Sequence, residues 1–555
     1  MITGIIVENF KGIGERVEIE LRPLTLLFGA NGAGKSTIVE ALSVLEDVLL
    51  NRHDRRGKSL ERRVAERVGN IRDVVHEQDS GRKITLGVTI SKDDDDEGDY
   101  FGEFMTSTAD FNKGDIEKGD IEIVGIAGAK MPSGFDMGRL GGDDDARSLT
   151  VEVAIQEQRA RHQNTLVPVV AIRQLLIGVN GRELVRLSGS GEESGNIETF
   201  TWQVDTDHPV LSDDIRNKGA GKRTLLVRMY QILPLNNDLP PLSNRFCTDQ
   251  DGVDLGDDDG PLALSLNIAV LASLEAVESE LSRHRRLGPM RMIPPHYFRP
   301  QPLPARDDWL TGQAAWDQLG YVMEDALSRI NEWLGPDKLD SGIEVHQNFM
   351  VSLDEVLSLI EVIKETAPAF FDQIIRSRKL SFAREVCLRP IGTKYGGVME
   401  SAANLSPSQV GTGVSQIVPV VVACVNLRGM LVTIAQPELH LHPRLQVKLG
   451  DLFIDSISTH DDDPNPTQLI VETHSEHLIL RLLRRVRETA KRCAPEGLEL
   501  TSDELVVYHV SQEQGRTVIR KLDIDVNGQF VQPWPDDFFE IDFYERFTTG
   551  GDDVS

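Results

Sequence analysis

Cysteine is scarce in this chain: Cys247, Cys387, Cys424 and Cys493 are the only four in 555 residues. They form no CxxC pair and have no ligand spacing to histidine, so neither a zinc site nor a disulfide framework is expected, and buried thiols remain. Long apolar runs are missing too. The longest, IVPVVVACV from Ile417, is far too short for a bilayer span. The opening MITGIIVENF alternates like a strand and has no charged start or apolar core of a secretory signal, so the chain reads as cytoplasmic, with no membrane association. A basic surplus is also absent. Lys and Arg number 59 against 88 Asp and Glu, a formal net charge of −29, which argues against a protein that coats nucleic acid over its whole surface. The acid collects in runs such as KDDDDEGD from Lys92, GGDDDARS from Gly141, DLGDDDGP from Asp254 and HDDDPNP from His460. Such runs repel themselves and read as solvated loops; none has the spaced calcium-loop pattern with its distal Glu.

What the chain does contain is a phosphate motif. IELRPLTLLFGANGAGKSTIVEALSVLEDVLL, from Ile19, is an apolar strand, a glycine-rich loop and an amphipathic helix. Gly29-Ala30-Asn31-Gly32-Ala33-Gly34-Lys35-Ser36 fits G-x-x-x-x-G-K-[ST] in full, with Thr37 following. Glycines let backbone N–H groups converge on phosphates, and the helix adds its positive end. Lys35 is placed for the β- and γ-phosphates, and Ser36 for Mg²⁺. A nucleoside triphosphate is the expected ligand.

The partner motifs lie beyond residue 400, so the nucleotide domain is split. SPSQVGTGVSQIVPVVVAC is a Gly/Ser loop running into a helix that Pro419 should bend. Then come the strand LVTI, the turn AQPELHLHP, a helix from Arg444, the strand QLIVETHSE and the basic helix HLILRLLRRVRETAKR. Together NGAGKST, GTGVSQ, QPELHLHP and ETHSEHLI resemble the ABC ATPases of the overcoming-lysogenization-defect type, which include the ATPase subunits of anti-phage systems such as Septu and PARIS. The resemblance covers residues 1 to about 90 and about 380 to 555. It implies an α/β fold: a split ABC-type P-loop NTPase domain with an antiparallel β-subdomain and a mixed, mainly helical insertion.

The resemblance also implies ATP and Mg²⁺ as cofactors and a homodimer or higher oligomer that sandwiches ATP. Asn31, Gly32, Ala33, Gly34, Lys35, Ser36 and Thr37 of one chain would meet Gly411, Thr412, Gly413 and Ser415 of the other. His474 matches the switch histidine that senses the γ-phosphate. His440 and His442 lack the further ligands a zinc site needs. The partner expected besides a second copy is a separate effector, of nuclease type.

One position breaks the pattern. The family pattern places an acid at 435, for Mg²⁺ and its waters, and Glu or Gln at 436; here stand Ala435 and Gln436, with Glu438 the remaining carboxylate nearby. Gln436, Glu438 and His474 are thus the candidate catalytic set, and Ser36 the one metal ligand. Losing a positioned base costs about 10²- to 10⁴-fold in rate, whereas binding rests on the phosphate loop. A good binder and poor hydrolyser is expected. Either an acid-to-alanine exchange traps the ATP-bound dimer, the preferred reading since the neighbouring positions are intact, or this is a natural nucleotide-gated switch or scaffold.

The segments are read as 1–90 (phosphate loop), 91–258 (acidic loops and antiparallel sheet), 259–380 (helical insertion) and 381–555 (signature, second phosphate motif, switch histidine). The alternating runs SLTVEVAIQ, LVPVVAIRQLL and IETFTWQV predict strands. Helices are predicted from Leu262 through RHRRL, from Trp316 to Leu334 and from Leu353 to Ser377, the last interrupted at Pro368. None sustains heptads long enough for the coiled-coil arm of chromosome-maintenance and break-repair relatives. Arg52, Arg55, Arg56, Arg62 and Arg63, and Arg481, Arg484, Arg485 and Arg487, are solvated helix faces in the plainer reading, DNA or RNA backbone contacts in the sharper one, and a dock for an acidic partner in a third. Near the end, Asn527-Gly528 predicts a surface hairpin.

Overall fold

The computed structural model describes residues 1–50, 60–92, 100, 146–162, 165–194, 197–205, 207–210, 222–229, 247–248, 260–296, 298–350, 383–391, 404–459 and 465–534. The chain forms two compact units, interleaved along the sequence: Met1–Leu21, Ala30–Arg283 and Val510–Arg520 make the first, and Arg22–Gly29, His284–His509 and Lys521–Ser555 the second.

The strands are β1 (Ile2–Glu8), β2 (Val17–Glu20), β3 (Leu24–Phe28), β4 (Ile84–Ser91), β5 (Ser148–His162), β6 (Thr165–Val179), β7 (Arg182–Ser194), β8 (Ile197–Asp205), β9 (Lys222–Met229), β10 (Cys247–Thr248), β11 (Arg285–Leu287), β12 (Ile343–Met350), β13 (Ala383–Pro390), β14 (Leu431–Ala435), β15 (Gln468–Thr473), β16 (Leu505–Glu513) and β17 (Arg516–Leu522). The first unit holds a nine-stranded antiparallel sheet, β10-β9-β8-β7-β6-β5-β4-β1-β2, built largely of neighbouring hairpins. This is the antiparallel β-subdomain that the alternating runs foretold. β7 is an addition: RELVRLSGSG carries two glycines, which weaken the alternation signal. The helix Lys35–Leu49 packs on β1, β4 and the helices Leu60–Val68 and Gly260–Ser282, burying Ile38, Val39, Leu42, Leu45 and Val48.

The second unit is the α/β core. Its sheet is formed by β11-β14-β15-β3 and by β16 as far as His509, all parallel. β14, β15 and β3 are buried at every position, and their near-continuous apolar sequences LVTIA, QLIVET and LTLLF are what a sheet covered on both faces requires. Val418, Val421, Phe453, Leu482 and Trp316 belong to the core of this unit. The helices are Gln313–Leu319, Glu324–Leu334, Thr412–Asn426, Pro443–Ile457 and Glu476–Ala490.

Three expectations need correction. The helix from Leu262 stops at Ser282, and Arg285–Leu287 is the edge strand β11, too short and too charged to announce itself. The helix from Trp316 is two helices, because Gly320 ends the first and Glu324-Asp325 supply acid for the first turn of the second. The helix Thr412–Asn426 runs on through Pro419, which only leaves the Ser415 carbonyl without its helical donor. The predicted helix from Leu353, the arginines at 52, 55 and 56 and the acidic runs from Lys92, Gly141, Asp254 and His460 lie wholly or mostly outside the described residues. A tight turn does form at Asn527-Gly528, where Gly528 has φ 64° and Asp525 N–H donates to Gln529 O at 2.9 Å.

Candidate nucleotide site

The phosphate loop leaves the second unit at the end of β3, where Phe28 pairs with Thr473 of β15. From Ala30 the loop belongs to the first unit. Gly32 and Gly34 have φ 76° and 102°, a region that side-chain-bearing residues rarely adopt. A Cβ on Gly34 would also lie 2.4 Å from Thr517 Oγ1. Gly34 caps the helix Lys35–Leu49 without any side-chain hydrogen bond to its first turn. Lys35 and Ala33 are buried, whereas Asn31, Gly32 and Ser36 are exposed; Thr37 is buried and donates its backbone N–H to Gly34 O at 3.0 Å. The Lys35 ammonium donates to Ala30 O at 2.9 Å, curled over its own loop. A strand, a left-handed glycine loop and a lysine at a helix start are together the geometry that cradles a triphosphate.

In the second unit, β14 and β15 end side by side, with Ala435 in register with Glu472. Residues in register on parallel strands share a face, so Glu472, 2% exposed, flanks Ala435 on the pleat. In the sequence Glu472 counts only as a matching neighbour of His474 in ETHSEHLI, because it belongs to no acid pattern around 435. After Ala435 the chain turns sharply. Gln436 has φ 46°, a left-handed conformation worth about 1–3 kcal/mol of strain in a residue that is not glycine. Its N–H donates to Glu472 O at 2.7 Å, and its carbonyl accepts from Arg291 Nη2 at 3.2 Å and from Leu439 N at 3.3 Å.

Glu438 is buried and its Oε1 accepts the backbone N–H of His474 at 2.6 Å, which ties the two strand ends together. Its Oε2 meets no hydrogen-bond partner. Burial pushes the Glu438 carboxyl above its ordinary range; the His474 N–H and the Arg291 cation pull the other way without winning. Thus Gln436, Glu438 and His474 do come together, held by backbone groups. Ser475 caps the next helix, its Oγ accepting from Leu478 N at 3.1 Å.

The glycine loop stands at the start of the helix Thr412–Asn426, with Gly411 as N-cap. Gly411 and Thr412 are exposed. Ser415 is placed differently from its three neighbours: fully buried, it donates its hydroxyl to Pro407 O at 3.1 Å. His442 caps the helix Pro443–Ile457, its Nδ1 accepting from Arg444 N at 3.2 Å, and His440 is exposed. Among the described residues no group of three or more His, Cys, Asp or Glu is arranged to hold a metal. The second arginine cluster is largely engaged: Arg481 and Arg485 both donate to Asp451, and Arg484 and Arg485 pair with Glu488. Arg484–Glu488 is the i,i+4 pair of a solvated helix face, whereas Arg485 is buried and bound to the neighbouring helix. No described helix is long and apolar enough to cross a membrane.

Comparison with known proteins finds a family match for each of the two segments that carry these motifs. The family model described as "AAA ATPase domain" matches residues 1–123, and the one described as "AAA domain, putative AbiEii toxin, Type IV TA system" matches residues 181–481, more than half of the chain. No curated protein matches. Similar solved structures include an SMC head bound to the C-winged helix domain of ScpA (10% identity, 95% of this chain and 98% of that one, TM-score 0.34). Others are the Pyrococcus furiosus SMC head with an extended coiled coil and the C-terminal domain of ScpA (11%, 94% and 96%, 0.34) and the Thermotoga maritima SMC head domain (9%, 94% and 99%, 0.28). Scores of that size carry no argument, and the fold rests on the strand order, the loop geometry and the family matches. With an α/β P-loop fold and a family model spanning most of its length, the chain belongs to the AAA-domain family of P-loop ATPases described as "AAA domain, putative AbiEii toxin, Type IV TA system".

Proposed function

We propose that this chain is an ATP-binding, ABC-type switch of the overcoming-lysogenization-defect kind. It is the sensor and regulatory subunit of an anti-phage complex, it dimerises around ATP, and it controls a separate effector of nuclease type. The observation that carries the ATP reading is the left-handed glycine loop with Lys35 at a helix start. The defence role draws on the four sequence motifs and on a family description that names a toxin–antitoxin system. Magnesium would be held by Ser36, triphosphate oxygens and water, a donor set that suits an ion reluctant to shed its waters. Ala435 leaves turnover slow, so binding rather than hydrolysis sets the state of the switch. A nucleotide-gated scaffold that never needs hydrolysis is the second reading, favoured by the apolar residue at the end of β14.

Isothermal titration with Mg-ATP tests the site. Lys35→Ala should abolish binding, since it removes the cation fixed in the phosphate loop; unchanged affinity would end the assignment. Light scattering tests assembly. ATP should increase the mass of the parent and not of Thr412→Arg, an exposed position where a long side chain adds bulk without clashing inside the chain. Gly413 is the poorer probe, because a Cβ there already lies 3.0 Å from His440 O. One mass for both proteins under all conditions would refute the sandwich.

A further inference from the structure

Arg291 follows β11 in a proline-rich stretch and is 4% exposed, an unusual place for a guanidinium. Its Nη2 donates to Ala435 O at 2.7 Å and to Gln436 O at 3.2 Å, and its Nη1 donates to Gln416 O at 3.3 Å. The link to Gln416 is reciprocal. Gln416 Nε2 donates to Arg291 O at 2.7 Å, and Gln416 Oε1 accepts from Arg291 N at 3.4 Å. Burial lowers the guanidinium to about 10, so it remains a cation at neutral pH, with the Glu438 carboxylate favouring that charge.

We infer that Arg291 is a positioning residue for the nucleotide reaction: it holds the left-handed Gln436 turn and, through Gln416, couples that turn to the helix that begins at Gly411–Gly413. The inference rests on the ATPase reading above. Three features support it. The three carbonyls that Arg291 gathers come from the two elements carrying the candidate site, the strand end and the glycine-loop helix. Gln436, like His440 further along the same turn, has a left-handed backbone, and Arg291 and Glu472 grip its two sides. Finally, a rigid planar fork can serve three acceptors at once, which a lysine ammonium on a flexible stem cannot do in the same geometry. A shift of the glycine loop, as when a partner phosphate docks on it, therefore reaches Gln436 through one buried side chain.

Arg291→Lys keeps the charge and loses the fork. In single-turnover conversion of Mg-ATP by excess protein, its rate should fall about 10-fold or more, on the scale of a misplaced reacting group, while its ATP affinity by titration stays within about 2-fold. Gln416→Ala, which leaves the contacts to Ala435 and Gln436 in place, should lower the rate less. The double variant should be no slower than Arg291→Lys alone, since both act through one link. Hydrogen exchange should quicken in 431–439 and not in β16. A rate for Arg291→Lys within 2-fold of the parent would overturn the inference. So would equal losses in rate and affinity, or additive losses in the double variant. If the parent itself binds no ATP, the function reading falls first, and that outcome is distinct from the others because it needs no variant.

Discussion

Two neighbouring strands of the second unit end at the same level with opposite equipment. β15 closes on Glu472, Thr473 and His474, with Ser475 capping the helix that follows; β14 closes on Ala435 and a glutamine forced into a left-handed turn. Both are buried parallel strands that lead to a helix, but β15 reaches its helix through His474 and Ser475 alone, whereas β14 is followed by the longer turn 436–442 with its left-handed residues. In the proposed reading the difference separates two tasks. Sensing a nucleotide can rest on backbone groups and a histidine. Splitting one needs a carboxylate where the water and metal are handled, and at 435 there is none.

The largest expected effect comes from evening out the two ends. Ala435→Glu should raise Mg²⁺-dependent phosphate release at saturating ATP by at least about 10²-fold, the scale of a recovered catalytic group. The new carboxylate would sit in register with Glu472, so without Mg-ATP the variant should melt below the parent. A rate within a few-fold of the parent would mean that the rest of the site is not tuned for turnover, and the switch or scaffold without hydrolysis would be the better account.

How much of this asymmetry is legible in the sequence depends on how local its causes are. The phosphate loop is contiguous, so its residues announce their geometry, and the gap at Ala435 is visible against the intact QPELHLHP that follows it. Strand pairing is not local. Glu472 gains its interest from its register with Ala435, a relation that no one-dimensional pattern contains. Arg291 lies over a hundred positions from the residues it binds, in a loop of prolines with no periodicity. Ser415 looked like one more member of a glycine loop; its direction is set by Pro407, a packing partner rather than a motif partner. The antiparallel sheet is readable where alternation is clean and not at β7, where glycine interrupts it; in the parallel sheet the short edge strand β11 is hidden by its charge.

The second effect concerns what keeps the two strand ends together. Asp451 lies on the helix after β14 and receives Arg481 Nε and Arg485 Nε, each at 2.9 Å, from the helix after β15. It is 3% exposed. Although burial works against its charge, the two guanidinium groups hold its carboxyl below the ordinary range. Asp451→Asn removes the anion of Arg481 and leaves Arg485 with Glu488 alone, and should cost about 3 kcal/mol, read as a fall in urea midpoint. The folded value lies below the unfolded one, so this stability is fully present above the unfolded pKa and is lost as pH falls through the folded one. The loss on mutation should accordingly shrink in acid. An unchanged midpoint at pH 7 would show that the two helices are joined by their apolar contacts alone.

The smallest effect runs in the opposite direction. Glu438 joins the strand ends through its Oε1 and the His474 N–H, but its Oε2 is buried without a partner, and burial raises the carboxyl above its ordinary range. A glutamine keeps the acceptor for His474 and removes the buried charge. Because the folded value is the higher one, the native state holds a proton that the unfolded chain has already released, and stability falls as pH rises between the two values. Glu438→Gln should therefore match the parent in melting temperature below the unfolded pKa and exceed it by a few degrees near neutrality. The Arg291 cation, which favours the carboxylate, limits the gain. Paired thermal melts across that range decide the matter. A variant that melts lower at pH 7 would mean that the carboxylate's attraction to Arg291 outweighs its burial, and Glu438 would then join Arg291 as part of the structure holding the emptied strand end in shape.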